Sequence, residues 1–196
     1  TPYFISTSIQ NEEAALAAGD LLNGEGIKTL YVLAPNYQAG KEIIAGALAN
    51  FKGKTVGQEL FKLGESDFQT EISKLRAAKP DAVLFFGPGA MGVSFVKQWH
   101  ASGAAREIKL FAHYVVDETT LAAIGDAAIG TLQITSWPQE AGNEVNARFV
   151  KDYVAKFNRQ PSFFAAQGYD GPRLVATALK SVSGKFEDAA ALMHAM

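Results

Sequence analysis

A chain of 196 residues, 48% of them hydrophobic, can bury a substantial core and fits one large domain or one and a half. Its formal charge of −2, with lysines scattered along the chain, gives no basic field, so nucleic acid is not an expected partner. Cysteine is absent, which excludes disulfides, thiolate catalysis and zinc thiolate sites, and no apolar run approaches the roughly 20 residues that span a bilayer.

Thr1 to Ser8 reads as extended, with Tyr3, Phe4 and Ile5 ahead of polar residues. No basic stretch leads into an apolar one at Thr1, so an export signal is expected to be absent or already removed. A helix is predicted from about Glu12 to Leu22, closed at Asn23-Gly24 by the usual C-terminal glycine. Thr29 to Ala34 is nearly all apolar, as a strand covered on both faces must be. From Ala39, the residues Ile43, Ile44, Ala47, Leu48 and Phe51 recur at helical spacing.

Thr55 to Leu60 is the next predicted strand. Ser66 with Gln69 matches a capping box ahead of a helix marked by Phe68, Ile72 and Leu75. Ala82 to Phe86 then reads as a strand and Gly89 to Ser102 as a helix with Phe95, Val96 and Trp99 inward. Ile108 to Ala112 and Gly130 to Thr135 are predicted strands around a short helix at Glu118 to Ile124. After Trp137-Pro138 two long helical stretches follow, one lined by Val145, Phe149, Tyr153 and Phe157, the other by Leu174, Val175, Ala178, Leu179 and Val182.

The alternation of strand and helix implies an α/β fold with an open, mainly parallel sheet flanked by helices. Parallel strands place their carboxyl-end turns on one rim, where such sheets bind ligands. On that rim fall Pro35 to Gly40, Gly87-Pro88-Gly89 and His113-Tyr114.

Several stretches carry a resemblance in order along the chain: Asn36-Tyr37-Gln38-Ala39-Gly40-Lys41, Ser66-Asp67-Phe68, Lys79-Pro80-Asp81-Ala82-Val83, Gly125 to Gly130, and Gly168-Tyr169-Asp170. Together they resemble the type I periplasmic solute-binding proteins of the branched-chain amino-acid (Leu/Ile/Val) group, which feed ABC importers. The resemblance implies two α/β lobes joined by three hinge crossings and closing over a small ligand, with no cofactor and no enzymatic activity. It also implies a periplasmic or lipid-anchored extracellular location and a membrane permease as partner. Residues 1–135 look like the second, ligand-binding lobe, and residues 136–196 like helices returning to a first lobe whose sheet is missing here. If the chain is this short, Phe149, Tyr153, Phe157, Phe163 and Phe164 are expected to expose an apolar patch that favours self-association.

By the resemblance, Tyr37 matches the aromatic that covers the ligand, against the plainer reading of a surface tyrosine in a loop. The Phe86-Gly87-Pro88-Gly89 turn matches one that offers backbone N–H groups to a carboxylate. Tyr114 stands where amino-acid-binding relatives carry an acid for the ligand ammonium, and no acid follows until Asp117. A buried ammonium without a carboxylate is costly, so an aromatic or aliphatic carboxylate fits better than an α-amino acid. His113 either contributes a donor there or is a strand-end histidine bonded to backbone. Trp137 either walls the cleft beside a hinge or forms a packing corner before Pro138. Tyr169 and Asp170 read as mainly structural.

Two rival readings remain open at this stage. Gly87, Gly89 and Gly92 match G-x-G-x-x-G between strand and helix, the pattern of an NAD-dependent oxidoreductase. Against it, Pro88 removes a phosphate donor, and Glu107 and Asp117 miss the end of the next strand, where the ribose acid belongs. The other rival is a ligand-sensing domain of a receptor or regulator with the same fold. No G-x-S-x-G elbow, metal-ligand spacing around His100 or Walker sequence supports another chemistry.

Overall fold

The computed structural model describes residues 4–196, which divide into two compact units. The larger is Gln10–Ser136; the other comprises residues 4–9 with Trp137–Met196. Of the stretch expected to be extended, residues 1–3 lie outside the described residues, and residues 4–8 form no strand.

The larger unit is a five-stranded, all-parallel sheet in the order β2-β1-β3-β4-β5, as the α/β reading requires. Its strands are β1 (Thr29–Pro35), β2 (Lys54–Phe61), β3 (Ala82–Phe86), β4 (Lys109–His113) and β5 (Leu132–Ile134). Its helices are α1 (Asn11–Gly24), α2 (Gln38–Asn50), α3 (Gln69–Ala78), α4 (Ala90–Ala101) and the short α5 (Leu121–Ile124). The central strands are buried on both faces, which is why they read as continuous apolar runs.

Strand alternation sorts the core into two layers. Tyr31, Leu33, Val83, Phe85, Leu110 and Ala112 point to one face, where α3 and α4 cover them with Phe68, Ile72, Leu75, Phe95 and Trp99. Phe85 and Phe95 stack there at 3.8 Å, with Phe68 edge-on to both. On the opposite face α2 comes so close to β1 that a Cβ on Gly40 would lie 2.1 Å from the Pro35 carbonyl oxygen, so only glycine fits.

Asp81 ties the amino ends of three strands together. Its carboxylate accepts from the backbone N–H groups of Lys28 and Thr29 at 2.9 and 2.8 Å, and those bonds hold its pKa below the usual carboxylate value. The Asp81 N–H donates to the Thr29 carbonyl, and the Lys109 N–H donates to the Asp81 carbonyl.

Three local expectations need correction. α1 runs on through Gly24, and the left-handed turn falls at Gly26, with φ +73°, where the chain bends toward β1. Ser66 does not cap α3: the helix opens after Phe68, whose N–H is taken by Gln98 Oε1 of α4, while Asp67 Oδ1 accepts from the Gln69 N–H. A third helix, α8 (Ala189–Ala195), appears in the smaller unit beyond the two predicted.

That unit contains α6 (Glu144–Phe157), α7 (Phe163–Ser181) and α8 (Ala189–Ala195), with side-chain caps from Asn143, Ser162 and Asp188. Phe149 is buried against Trp137, Tyr153 and Tyr169, and Phe163 is buried too, contrary to the expected exposure. Phe157 and Phe164 do face solvent.

Truncating the stacked pair tests the packing argument. Phe95→Ala is expected to cost about 3–5 kcal/mol in denaturant unfolding. Ile129→Ala, at a 76% exposed position, should stay within about 0.5 kcal/mol. Equal losses in the two variants would refute the assignment of the core.

Candidate functional site

In an open parallel sheet the ligand crevice opens at the carboxyl ends of strands, where the strand order reverses. Here the reversal lies between β1 and β3, since β2 is added on one side of β1 and β3 on the other. The residues leaving those strands are Tyr37 and Phe86, and their rings stack at 6.2 Å. Both residues therefore lie at the switch point itself.

The aromatic contact continues along the rim. Phe86 pairs with His113 in register across β3 and β4, and their rings meet edge to face at 6.0 Å. His113 in turn meets Tyr114 edge to face at 4.6 Å. Tyr37, Phe86, His113 and Tyr114 thus form an unbroken row over the ends of three strands. Tyr37 is half-buried, and burial raises its phenol pKa, as it does that of Tyr114.

Tyr114 adopts φ +51°, in the left-handed region that non-glycine residues avoid at a cost of about 1–2 kcal/mol. Such strain in a folded chain needs surroundings that over-determine it. The Tyr114 N–H donates to the Ile134 carbonyl of β5 at 3.1 Å, and its hydroxyl meets Ser136. Just beyond, Gln133 Oε1 accepts from the Val116 N–H at 3.0 Å, and Thr120 Oγ1 donates to the Val115 carbonyl at 2.6 Å. Gln133, Thr120 and Ser136 were not among the sequence-derived site residues. No local pattern marks them, because each acts across the fold on the loop after β4.

Two helix amino ends open on the same rim. α2 begins after Tyr37 and α4 after Gly89, and neither has a side-chain cap. Their first-turn N–H groups have no partner within the helix. Gly89 sits at φ +63°, and a Cβ on Gly92 would lie 2.4 Å from the Gly87 carbonyl oxygen. The glycine pattern in this turn therefore has a packing cause, the close approach of α4 to the end of β3.

Asp117, the first acid after Tyr114, is engaged locally: its carboxylate accepts from the Thr119 and Thr120 N–H groups and from the Thr119 hydroxyl. His113 is fully buried, and burial alone pushes its imidazole down to about 4, so the ring is neutral near pH 7. Neither ring nitrogen is bonded to backbone, contrary to the plainer reading of a satisfied strand-end histidine. Trp137 belongs to the smaller unit, where its indole N–H donates to Asn146 Oδ1 at 2.7 Å and its ring meets Phe149. No group of residues suited to hold a metal ion occurs among the described residues.

Two measurements test the site's energetics. Tyr114→Gly and Tyr114→Ala both lose the ring, but only alanine keeps the left-handed penalty, so the glycine variant should unfold about 1 kcal/mol later. Identical stabilities would mean an unstrained backbone there. For His113, the unfolded chain takes up a proton near pH 6.5 that the folded chain refuses until about pH 4. The contribution of the neutral ring is therefore complete above that window and is lost as pH falls through it, by about 3 kcal/mol in all. His113→Phe should flatten this slope in unfolding experiments between pH 7 and 4, and an unchanged slope would assign it to other groups.

Comparison with known proteins bears on the family and the fold. The periplasmic binding protein family model matches residues 1–196. A solute-binding protein of an ABC transporter from R. palustris, solved in complex with benzoate, is 28% identical with a TM-score of 0.89, over 100% of this chain and 54% of that one. Another from Rhodopseudomonas palustris, in complex with 3,4-dihydroxybenzoic acid, is 32% identical with a TM-score of 0.85, over 100% and 55%. A substrate-binding protein from Sphaerobacter thermophilus is 26% identical with a TM-score of 0.91, over 99% and 56%. The chain thus spans about half the length of the structures it matches. No described helix is long and apolar enough to cross a membrane. With a family match along its whole length and the sheet, switch point and rim of such a lobe, the chain belongs to the periplasmic binding protein family, whose members bind solutes and are not enzymes.

Proposed function

We propose that this chain carries the ligand-gripping rim of an extracytoplasmic solute-binding protein that serves an ABC importer and takes a small carboxylate, with aromatic acids favoured. The binding surface on the larger unit consists of Tyr37, Phe86, Gly87, Pro88, Gly89, His113 and Tyr114. In this reading the second lobe, expected over residues 1–135, corresponds to the larger unit, with residues 4–9 grouped with the smaller one, and residues 136–196 belong to the return toward the first lobe. Binding proceeds without chemistry: the carboxylate meets N–H groups at the uncapped helix ends, the ring lies against aromatics, and hinge closure buries it. The closed form is then recognised by the membrane permease.

The observation that carries this reading is the unbroken aromatic row over the switch point, with Asp117, the first acid after Tyr114, engaged by its own turn. The similar R. palustris proteins solved with benzoate and 3,4-dihydroxybenzoic acid support it. A branched-chain amino acid would need its ammonium partner from outside this rim.

Thermal unfolding of the full-length protein with benzoate, leucine and NAD(H) is the direct test. A ligand that binds the native state raises the midpoint, by the equivalent of about 2.7 kcal/mol at a hundred times its Kd. Benzoate should raise it, and Tyr37→Ala and Tyr114→Ala should each weaken benzoate binding about tenfold or more with far-UV circular dichroism unchanged. A rise with leucine alone would replace the aromatic-acid reading with an amino-acid one. A rise with NAD(H) alone would overturn the transport reading.

A further inference from the structure

His113 is enclosed completely, yet neither ring nitrogen has a hydrogen-bond partner among the described residues. A buried imidazole in that state forgoes one donated and one accepted bond, which folded proteins rarely tolerate without a reason. A phenyl ring would fill similar space at no such cost. What the imidazole does make is a pair of edge-to-face contacts, with Phe86 of β3 and with Tyr114. Tyr114 is the rim residue held in the left-handed region, a conformation that its Cβ disfavours. A histidine without polar partners therefore abuts a tyrosine under backbone strain.

We propose that His113 is a positioning residue: its uncharged ring, packed edge to face, holds Tyr114 in its strained conformation, and a proton on that ring undoes the arrangement and weakens ligand binding. The inference rests on the reading of this rim as the binding surface. The groups around the ring make the effect one-sided. Its strand partners are Phe86 on β3 and Ile134 on β5, and Tyr114 follows it in the chain, so the phenol is the only titratable group among them. That phenol is raised above its usual value and stays neutral. Burial is the sole cause acting on His113; no acid or cation contributes. An imidazolium here would carry two donors with no acceptor and a charge with no counter-charge.

The test uses the full chain, as wild type, His113→Phe and His113→Gln, with sodium benzoate as the probe. Calorimetric titrations from pH 7 to 3.5 are normalised to each variant's own affinity at pH 7 and compared at equal pH, where the titration of benzoate itself is common to all three and cancels. Near-UV circular dichroism without ligand follows the tyrosine signal over the same range. Wild type should lose affinity relative to both variants by up to tenfold per pH unit below its transition. Its tyrosine signal should move at the same pH and stay still in both variants. Superimposable profiles for wild type and variants would overturn the proposal, and if the phenylalanine variant does not fold, the glutamine variant supplies the comparison. Failure of wild type to bind benzoate at pH 7 would instead overturn the carboxylate reading. In that case the ligand-free tyrosine titration still decides whether His113 holds Tyr114.

Discussion

The arrangement of this rim depends on a knot at the opposite end of the sheet. Asp81 precedes β3, accepts from the backbone at the start of β1, returns a bond to Thr29 and receives one from Lys109 at the start of β4. Parallel strands have no tight hairpin turn to set their register, so side-chain contacts of this kind must help fix it. A slip of one residue would turn Phe86 and His113 to the other face and break the aromatic row. The contacts Tyr37 makes with Phe86, and Phe86 with His113, are thus set by bonds five residues upstream along β3.

Much of this was legible in the sequence, for a physical reason. β1 and β3 are buried on both faces, so their composition reports their environment without ambiguity. The rim residues were legible by position, since whatever follows such a strand lies at its carboxyl end. Features that depend on distant partners were not. Ser66 and Gln69 fit a capping box, but Gln98 of α4 and neighbouring Asp67 take the donors instead. α8 is mostly alanine and lacks an apolar stripe. The left-handed Tyr114 leaves no trace in the run His113-Tyr114-Val115, because the groups that bond this loop, Ile134, Gln133, Thr120 and Ser136, lie elsewhere in the sequence.

The electrostatic character of the rim follows from which groups are already committed. Asp117 spends its carboxylate on the turn that opens α5, Glu59 spends its own on Tyr31 and Lys74, and His113 is kept neutral by burial. The remaining field comes from the amino ends of α2 and α4, both positive in sign. Aromatic rings and helix amino ends together are the basis on which the proposed ligand is flat, apolar in its body and negative at one end.

The same physics explains why the glycine turn mimics a dinucleotide fingerprint. A strand that hands over to a helix through a short turn brings backbone against backbone, and only glycine leaves room: Gly92 meets the Gly87 carbonyl, while Gly89 takes the positive φ. Dinucleotide-binding folds need that geometry for helix packing as well as for phosphate. The pattern alone therefore reports the turn and leaves the ligand open. Discrimination rests on the other positions, where Pro88 removes a donor and β4 ends in His113 and Tyr114 where a ribose would require a carboxylate. On the proposed reading those residues would hold a small acid between rings, with the glycines bringing α4 close enough for its amino end to take part.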